Sequence, residues 1–301
     1  MRLMKDELGE RMKEFYENRT RHTLPRRTYT IIRLDGKAFH TYLKGFKRPY
    51  DERIMRVMDN TAIALCKQIQ GAKMAFVQSD EISIVLTDFD DIKTDAWFDG
   101  NIQKIVSVSA SIATVAFNNG MYLDEEILAS MEKVAYFDSR VFTIPDPKEV
   151  INYFIWRQQD ATRNSIQMGA QSLYSQKELH GKNTDQLQEL MFQKGQNWND
   201  YPTGFKRGRV IVKETYDHPV KTMAIDTETA GLDGKSEVNV ELSNTTVKRT
   251  RWVSADPPVF TADRYYIMSK IRPVSPELLA YSKSFSKEDL EKIVNSAKAE
   301  K

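Results

Sequence analysis

Three carboxylates stand where β-rich runs stop. Asp35 closes Ile31-Ile32-Arg33-Leu34-Asp35-Gly36, and Asp80-Glu81 sits within Val77-Gln78-Ser79-Asp80-Glu81-Ile82. Tyr29 to Leu34 is mostly aromatic, aliphatic or β-branched, the composition of a strand, and its Asp-Gly end is a turn signal. Met74 to Val77 leads into the second acidic stretch and Ile82 to Leu86 leaves it, so Ser79-Asp80 reads as a hairpin turn. A carboxylate at a strand end beside an acidic turn can hold two Mg²⁺ ions against a triphosphate. Mg²⁺ takes few protein ligands and completes its shell from phosphate oxygens and water. Such a pair activates an attacking oxygen and stabilises a leaving one. The Gly36 carbonyl is a further candidate ligand, so the metal set is Asp35, Gly36 and Asp80. A surface turn plus a capping acid is the plainer alternative for the same residues.

Between the acids lies Lys37-Ala38-Phe39-His40-Thr41-Tyr42-Leu43-Lys44-Gly45-Phe46-Lys47-Arg48-Pro49-Tyr50-Asp51. Cations, aromatics and a following helix N-terminus suit a triphosphate and a base; a solvated loop is the bland reading. Gly36, Lys37, Ala38, Phe39, His40 and Arg48 are the nucleotide-binding candidates here. Lys104, on a mainly apolar helical segment, is either a phosphate contact or a snorkelling surface lysine. Trp156-Arg157-Gln158-Gln159-Asp160-Ala161-Thr162-Arg163-Asn164-Ser165 is dense in donors, and Arg157, Arg163 and Asn164 are candidate RNA contacts. A solvated helix face would explain them equally. Lys206, Arg207 and Arg209 form a basic loop entering a strand, a third RNA-facing candidate.

These residues need a scaffold. Residues 3–17 place Leu8, Met12, Phe15 and Tyr16 on one helical face, to be packed on the domain or a partner subunit. Ile54, Met58, Ala62, Leu65 and Ile69 repeat at helical spacing after a candidate N-cap, Asp51, and before a stop at Gly71. Asn101 to Phe117 is a second helix, and Val134 to Ile144 another strand ended by Pro145. The order strand, helix, strand, strand, helix, strand predicts a ferredoxin-like βαββαβ core of the polymerase-palm kind, an α+β fold. Residues 148–195 read as helical, 225–246 as a flexible arm or long hairpin, and the charged stretch from Ser284 as helical in tendency. The expected division is a palm-like core with its N-terminal helix over 1–145, a helical and loop region completing the catalytic domain over 146–215, and a C-terminal β-containing extension over 216–301.

Composition narrows the partners. With 44 basic and 42 acidic residues the net charge is +2, so nucleic-acid contact must come from local patches. One cysteine, Cys66, excludes a disulfide framework or a cysteine zinc site. Apolar runs fall short of the ~20 residues that span a bilayer, and the charged start from Met1 to Glu7 does not read as a signal peptide. A soluble cytoplasmic protein is expected.

Arg33-Leu34-Asp35-Gly36-Lys37-Ala38-Phe39-His40, Phe46-Lys47-Arg48-Pro49-Tyr50-Asp51 and Gln78-Ser79-Asp80-Glu81-Ile82-Ser83 together resemble the tRNA-His guanylyltransferase family. Trp156-Arg157-Gln158-Gln159-Asp160 and Trp198-Asn199-Asp200-Tyr201-Pro202 continue the match in the same order, over roughly residues 5 to 215. The resemblance implies a palm fold, two Mg²⁺ ions, ATP, GTP or other nucleoside triphosphates as substrates, tRNA as partner and a homotetramer. It implies catalytic roles for Asp35, Asp80 and Glu81, nucleotide contacts at Ser79, His40 and Asp51, and triphosphate binding at Lys104. The chemistry it implies is 3′-to-5′ addition: the tRNA 5′-phosphate is activated with ATP, and the incoming nucleotide's 3′-hydroxyl attacks it. Where eukaryotic members carry His-Ile-Asn-Asn, this chain has Thr162-Arg163-Asn164-Ser165, which resembles the branch that repairs truncated 5′ ends on a template. Arg48 stands for a family lysine, and Asn101 for an arginine near the phosphate lysine.

The leading expectation is therefore template-dependent 5′-end repair of tRNA, with addition of one G to tRNA-His as the alternative. A palm-fold nucleotide cyclase and a non-catalytic RNA-binding module are the rivals of other kinds. The basic-aromatic segments at 19–27, 206–209 and 248–252 count against the first. Clustered carboxylates, which repel each other and phosphate when unused, count against the second.

Overall fold

The computed structural model describes residues 7–123, 133–227 and 238–271. Six strands form one antiparallel sheet in the order β4-β1-β3-β2-β5-β6: β1 Tyr29–Gly36, β2 Ala72–Gln78, β3 Glu81–Leu86, β4 Phe137–Ile144, β5 Arg209–Thr227 and β6 Val238–Ala255. With α3 (Glu52–Gln68) and α4 (Ile102–Tyr122), the first four strands make the expected βαββαβ palm-like core. Two shorter helices precede α3: α1 (Glu7–Phe15) and α2 (Phe39–Tyr42).

Strand periodicity sorts the side chains to two covered faces. Ile32 and Leu34 of β1, Ala75 and Val77 of β2, and Ile82 and Ile84 of β3 pack beneath α3 and α4 with Met58, Leu65, Ala113 and Phe117. The intervening Ile31, Met74, Phe76 and Val85 pack on the other face, against the long helix α5 (Pro147–Gln171) and α9 (Arg264–Ile271). Burial on both faces explains why these strands read as continuous apolar runs.

Helix α5 is 25 residues long, about 37 Å at 1.5 Å per residue, while an eight-residue strand spans about 26 Å. Its N-terminus is set by Asp146, which accepts from the Lys148 N–H at 2.7 Å, with Pro147 in the first turn. The helix runs back along the sheet and overhangs the Asp35 end. There its last turns carry a small second core with α7 (Thr184–Gln193), in which Ile166, Ala170, Met191 and Trp198 pack. Helices α6 (Gln176–Leu179) and α8 (Thr203–Arg207) complete this region.

Two expectations change. The proposed break at 215/216 falls inside β5, which pairs with β2 at Arg209–Ile211 and with β6 out to Thr227↔Val238. Phe260, Ile267 and Ile271 are fully buried in the face beneath α5, so the stretch 260–271 contributes to the core of the same domain. Of the two places expected for the apolar face of α1, the domain or a partner subunit, the domain does not cover it: Leu8, Met12, Phe15 and Tyr16 are all exposed. The segment from Ser284 and the middle of the 225–246 stretch, residues 228–237, lie outside the described residues.

Candidate active site

Register places the acids before any side chain is drawn. Asp35 lies directly opposite Glu81 of β3 and Asp138 of β4, and Gln78 of β2 lies opposite Glu81. Direct partners in an antiparallel sheet share a face, so Asp138, Asp35, Glu81 and Gln78 form one row across four strands. Arg140, Arg33 and Ser83 form the next row. Ser79 and Asp80 are the two residues of the β2–β3 turn, with Ser79 at φ 47°. The turn is tied to β1 by the Gly36 N–H, which donates to the Asp80 carbonyl at 3.2 Å. A Cβ at Gly36 would stand 2.3 Å from the Phe39 ring; glycine is needed for that close approach, not for an unusual φ.

A cavity of about 490 Å³ opens at this end of the sheet. Asp35, Gly36, Ser79 and Asp80 form its floor, Ala38, His40, Arg48, Tyr50 and Asp51 one wall, and Asn164, Met168 and Phe205 the other. Burial pushes the Asp80 carboxyl up to about 6, and the charge of Asp35 adds to the shift. Among the described residues neither Asp35 nor Asp80 has an ion-pair partner. Two neighbouring carboxylates at a cavity floor, with no ion-pair partner among the described residues, form a donor set suited to a divalent ion.

Glu81 is in a different position. Its Oε1 and Oε2 accept from Arg157 Nε at 2.8 Å and Nη2 at 2.9 Å, and Arg33 Nε lies 3.3 Å from Oε2. Burial raises its pKa, opposed by the Arg157 and Arg33 charges. It does not reach the cavity wall.

Other expected residues divide likewise. Asp51 both lines the cavity and caps α3: its Oδ1 accepts from the Arg53 N–H at 3.0 Å, and Arg53 holds its carboxyl below the ordinary range. His40 and Arg48 are exposed on the wall. Phe39 is 3% exposed and packs on Tyr42, Phe117 and Phe137, so it supports the wall rather than offering a free stacking face. Lys37 is exposed and outside the cavity wall, its N–H donating to the Tyr136 carbonyl at 2.8 Å.

Lys104 is not brought to the carboxylates of its own chain. Helix α4 meets β4 beside Gly36 through Thr114 and Asn118. Lys104 is ten residues earlier, about 15 Å back along the axis, toward the Thr30 end of β1. Asn101 caps this helix by accepting from the Lys104 N–H at 3.0 Å.

Three expected RNA contacts are internal. Arg157 is 4% exposed in its clamp on Glu81. Arg209 forms a buried pair with Asp59 at 2.5 Å. Lys206, 8% exposed, donates to the Asn199 carbonyl and stacks over Trp198. Arg207 lies over the same ring. Arg157 and Arg209 face acids 76 and 150 positions away, which a basic run does not disclose. Arg163 and Asn164 are exposed, with Asn164 on the cavity wall.

Sequence reading passed over the second wall. Ala161, Asn164, Ser165, Met168 and Gln171 recur at three to four along α5, a helical face whose purpose becomes visible only when the overhang is known. Tyr50, Tyr201 and Phe205 form an aromatic cluster, with the Tyr50 and Phe205 rings 4.8 Å apart.

A family model described as tRNAHis guanylyltransferase matches residues 9–145. A tRNA(His) guanylyltransferase of Debaryomyces hansenii is 31% identical over 205 residues, covering 64% of this chain and 75% of that protein. Among solved structures, a bacterial tRNA(His) guanylyltransferase-like protein in complex with ATP is 39% identical, with a TM-score of 0.73 over 88% of this chain and 99% of that one. The same kind of protein in complex with GTP is 38% identical at a TM-score of 0.67, over 88% and 99%. The tRNA(His) guanylyltransferase structure from Saccharomyces cerevisiae is 26% identical, covering 65% of this chain and 92% of that one at a TM-score of 0.55. The sheet order, the carboxylate row and these likenesses agree: this chain belongs to the tRNA(His) guanylyltransferase family, and its fold is that family's palm.

Proposed function

We propose that this nucleotidyltransferase adds nucleotides in the 3′-to-5′ direction to tRNA 5′ ends, matching them to the opposite strand and so repairing truncated termini. The observation that carries the reading is the cavity that joins Asp35, Gly36 and Asp80 to the Arg48–Asp51 wall. Its lining would set a triphosphate on the acids and a base among Tyr50, Phe205 and Asn164. The ATP and GTP complexes of the bacterial relatives support both nucleotides as substrates.

Asp35, Asp80 and the Gly36 carbonyl are the groups that would hold Mg²⁺. When bound, Mg²⁺ supplies charge neutralisation and polarisation at the phosphoryl oxygens. The chain supplies position. His40, Arg48 and the left-handed turn at Ala38 face the nucleotide from one side, with Arg48 shaped for two-point phosphate contact. Two transfers follow in sequence. The tRNA 5′-phosphate first attacks ATP and becomes an adenylate, releasing pyrophosphate. The incoming nucleotide's 3′-hydroxyl then attacks that 5′ phosphorus, forming the new phosphodiester and releasing AMP. A homotetramer in the cytoplasm completes the proposal, and the exposed Leu8, Met12, Phe15 and Tyr16 supply an apolar face for assembly. No described helix is long and apolar enough to cross a membrane.

The test is a tRNA lacking its first nucleotide, incubated with Mg²⁺, ATP and labelled nucleotides beside intact tRNA-His. Template-matched extension of the truncated tRNA is expected. Addition of G to tRNA-His alone would assign the chain to single-G addition instead. A cyclic product from nucleotide alone, or tRNA binding without any product, would overturn the proposal.

A further inference from the structure

Glu81 is the acid least able to serve as a ligand. A carboxylate offers about four lone-pair positions. Here Oε1 accepts from Arg157 Nε at 2.8 Å and from Ser83 Oγ at 3.4 Å, and Oε2 accepts from Arg157 Nη2 at 2.9 Å with Arg33 Nε 3.3 Å away. Ser83 Oγ in turn lies 2.8 Å from the Tyr153 hydroxyl of α5. Glu81 is 7% exposed and Arg157 is 4% exposed. The guanidinium is fixed from the far side, where Nη2 donates to Asp160 Oδ2 at 2.7 Å and the group lies 4.3 Å from the Trp156 ring centre. Glu81 is also the first residue of β3, directly after Asp80. A group that fixes the Glu81 side chain from α5 therefore fixes the exit of the two-residue turn that presents Asp80.

We propose that Arg157 is a positioning residue. Its fork on Glu81 locks the Ser79-Asp80 turn to α5, so Asp35 and Asp80 meet the cation while Glu81 anchors the turn and does not ligate. This rests on the nucleotidyl-transfer reading of the site. The clamp also separates the acids: Arg157 and Arg33 meet Glu81, whereas Asp35 and Asp80 have no ion-pair partner among the described residues.

The test is a double-mutant cycle with two readouts, Mn²⁺ affinity of the free protein by electron paramagnetic resonance and the rate of tRNA 5′ extension. Glu81→Gln and Arg157→Gln alone each break the fork, leaving Arg157 with only Asp160, and Glu81 with only Arg33, as an ion-pair partner, and each is expected to slow extension about 10–100-fold, the usual cost of losing an outer-shell partner. The double variant removes both charges and leaves two amides that can pair. It is expected to recover to within about tenfold of wild type and to bind Mn²⁺ within about threefold, as coupled pairs do when both members change. Asp80→Asn supplies the ligand-loss reference for Mn²⁺. A double variant as slow as Glu81→Gln, with Mn²⁺ affinity as weak as Asp80→Asn, would make Glu81 a ligand and overturn the clamp. If the double variant does not fold, Arg157→Lys decides: it keeps the charge but loses the fork, so slowed extension with intact Mn²⁺ affinity supports the clamp, and an unchanged rate overturns it. A wild-type protein that extends no tRNA yet shows the expected Mn²⁺ pattern would sink the function proposed above and leave the clamp standing.

Discussion

Asp80 stands at the cavity floor with no ion-pair partner among the described residues, whereas Glu81, one residue on, is closed under α5 in a fork from Arg157. Both are carboxylates in one turn, and burial works against ionisation in both. What separates them is compensation. The protein sets two arginines directly on Glu81 and, among the described residues, leaves Asp80 and Asp35 without an ion-pair partner where a ligand can reach. An acid left uncompensated at an accessible floor is poised for a cation; an acid saturated with donors is part of the frame.

The strongest way to break that contrast is to remove the open acids. Asp35→Ala and Asp80→Ala are each expected to lower 5′ addition by about 10³-fold or more, the scale on which transition-state charge stabilisation is lost. Affinity for tRNA, read by gel shift, should change little. Substantial residual addition would return these acids to the status of turn residues. On the closed side, Arg157→Ala should cost about 3–5 kcal/mol in urea unfolding, because it strips the fork from a buried carboxylate and leaves it only Arg33, at 3.3 Å, as an ion-pair partner. A loss below about 1 kcal/mol, the level of a surface pair, would mean that Glu81 is not closed off.

Gly36→Ala probes the joint between the two regions. A Cβ would stand 2.3 Å from Phe39, whose ring is locked among Tyr42, Phe117 and Phe137. An overpacking cost of about 1–3 kcal/mol is expected, with loss of addition because Gly36 shares the cavity floor. Unchanged melting would show that Phe39 can move.

Much of this was legible from residue types. Alternation at period 2 and the spacing of Asp35 and Asp80-Glu81 were enough to place a palm and bring the acids to one strand end. Compensation was not legible. Whether an arginine faces RNA or a buried acid depends on partners such as Asp59, 150 positions from Arg209, and no local pattern carries that distance. Nor was the place of Lys104 legible: the resemblance implies triphosphate binding there, and α4 carries it toward the other end of the sheet from Asp35. The tail was misread for a related reason. A polar β-ribbon beginning at Arg209 gives no local sign that Phe260 and Ile267, fifty residues later, fill the core beneath α5.

A pH series reads the open side more gently. The folded-state pKa of Asp80, about 6, lies above its ordinary 3.8, so the folded protein binds that proton more tightly than the unfolded chain. The stabilisation is full below about pH 4 and is lost as pH rises through about 6. In chelator, Asp80→Asn should therefore be more stable than wild type at pH 7.5, by about 1–2 kcal/mol after allowing for solvent screening at a partly exposed group. The difference should vanish near pH 4. A variant less stable at pH 7.5 would mean that another cation already compensates Asp80.

The smallest effect belongs to the closed region's outer edge. Asp160 is held by two arginines: Arg157, with a side chain 4% exposed, at 2.7 Å, and Arg163, 53% exposed, at 3.0 Å. Distance alone would rank them as near equals. Burial does not, because an exposed pair is screened by water and must order a long side chain. Arg163→Gln is therefore expected to change unfolding stability by less than about 0.5 kcal/mol, the range of exposed i,i+3 pairs. The change should shrink further at 0.5 M salt, since the Debye length falls to a few ångströms, about 4 Å, at that ionic strength. A cost comparable to that of Arg157→Ala would show that the compensated cluster extends through Asp160 to the cavity rim at Asn164. The frame and the open floor would then be one electrostatic unit rather than two.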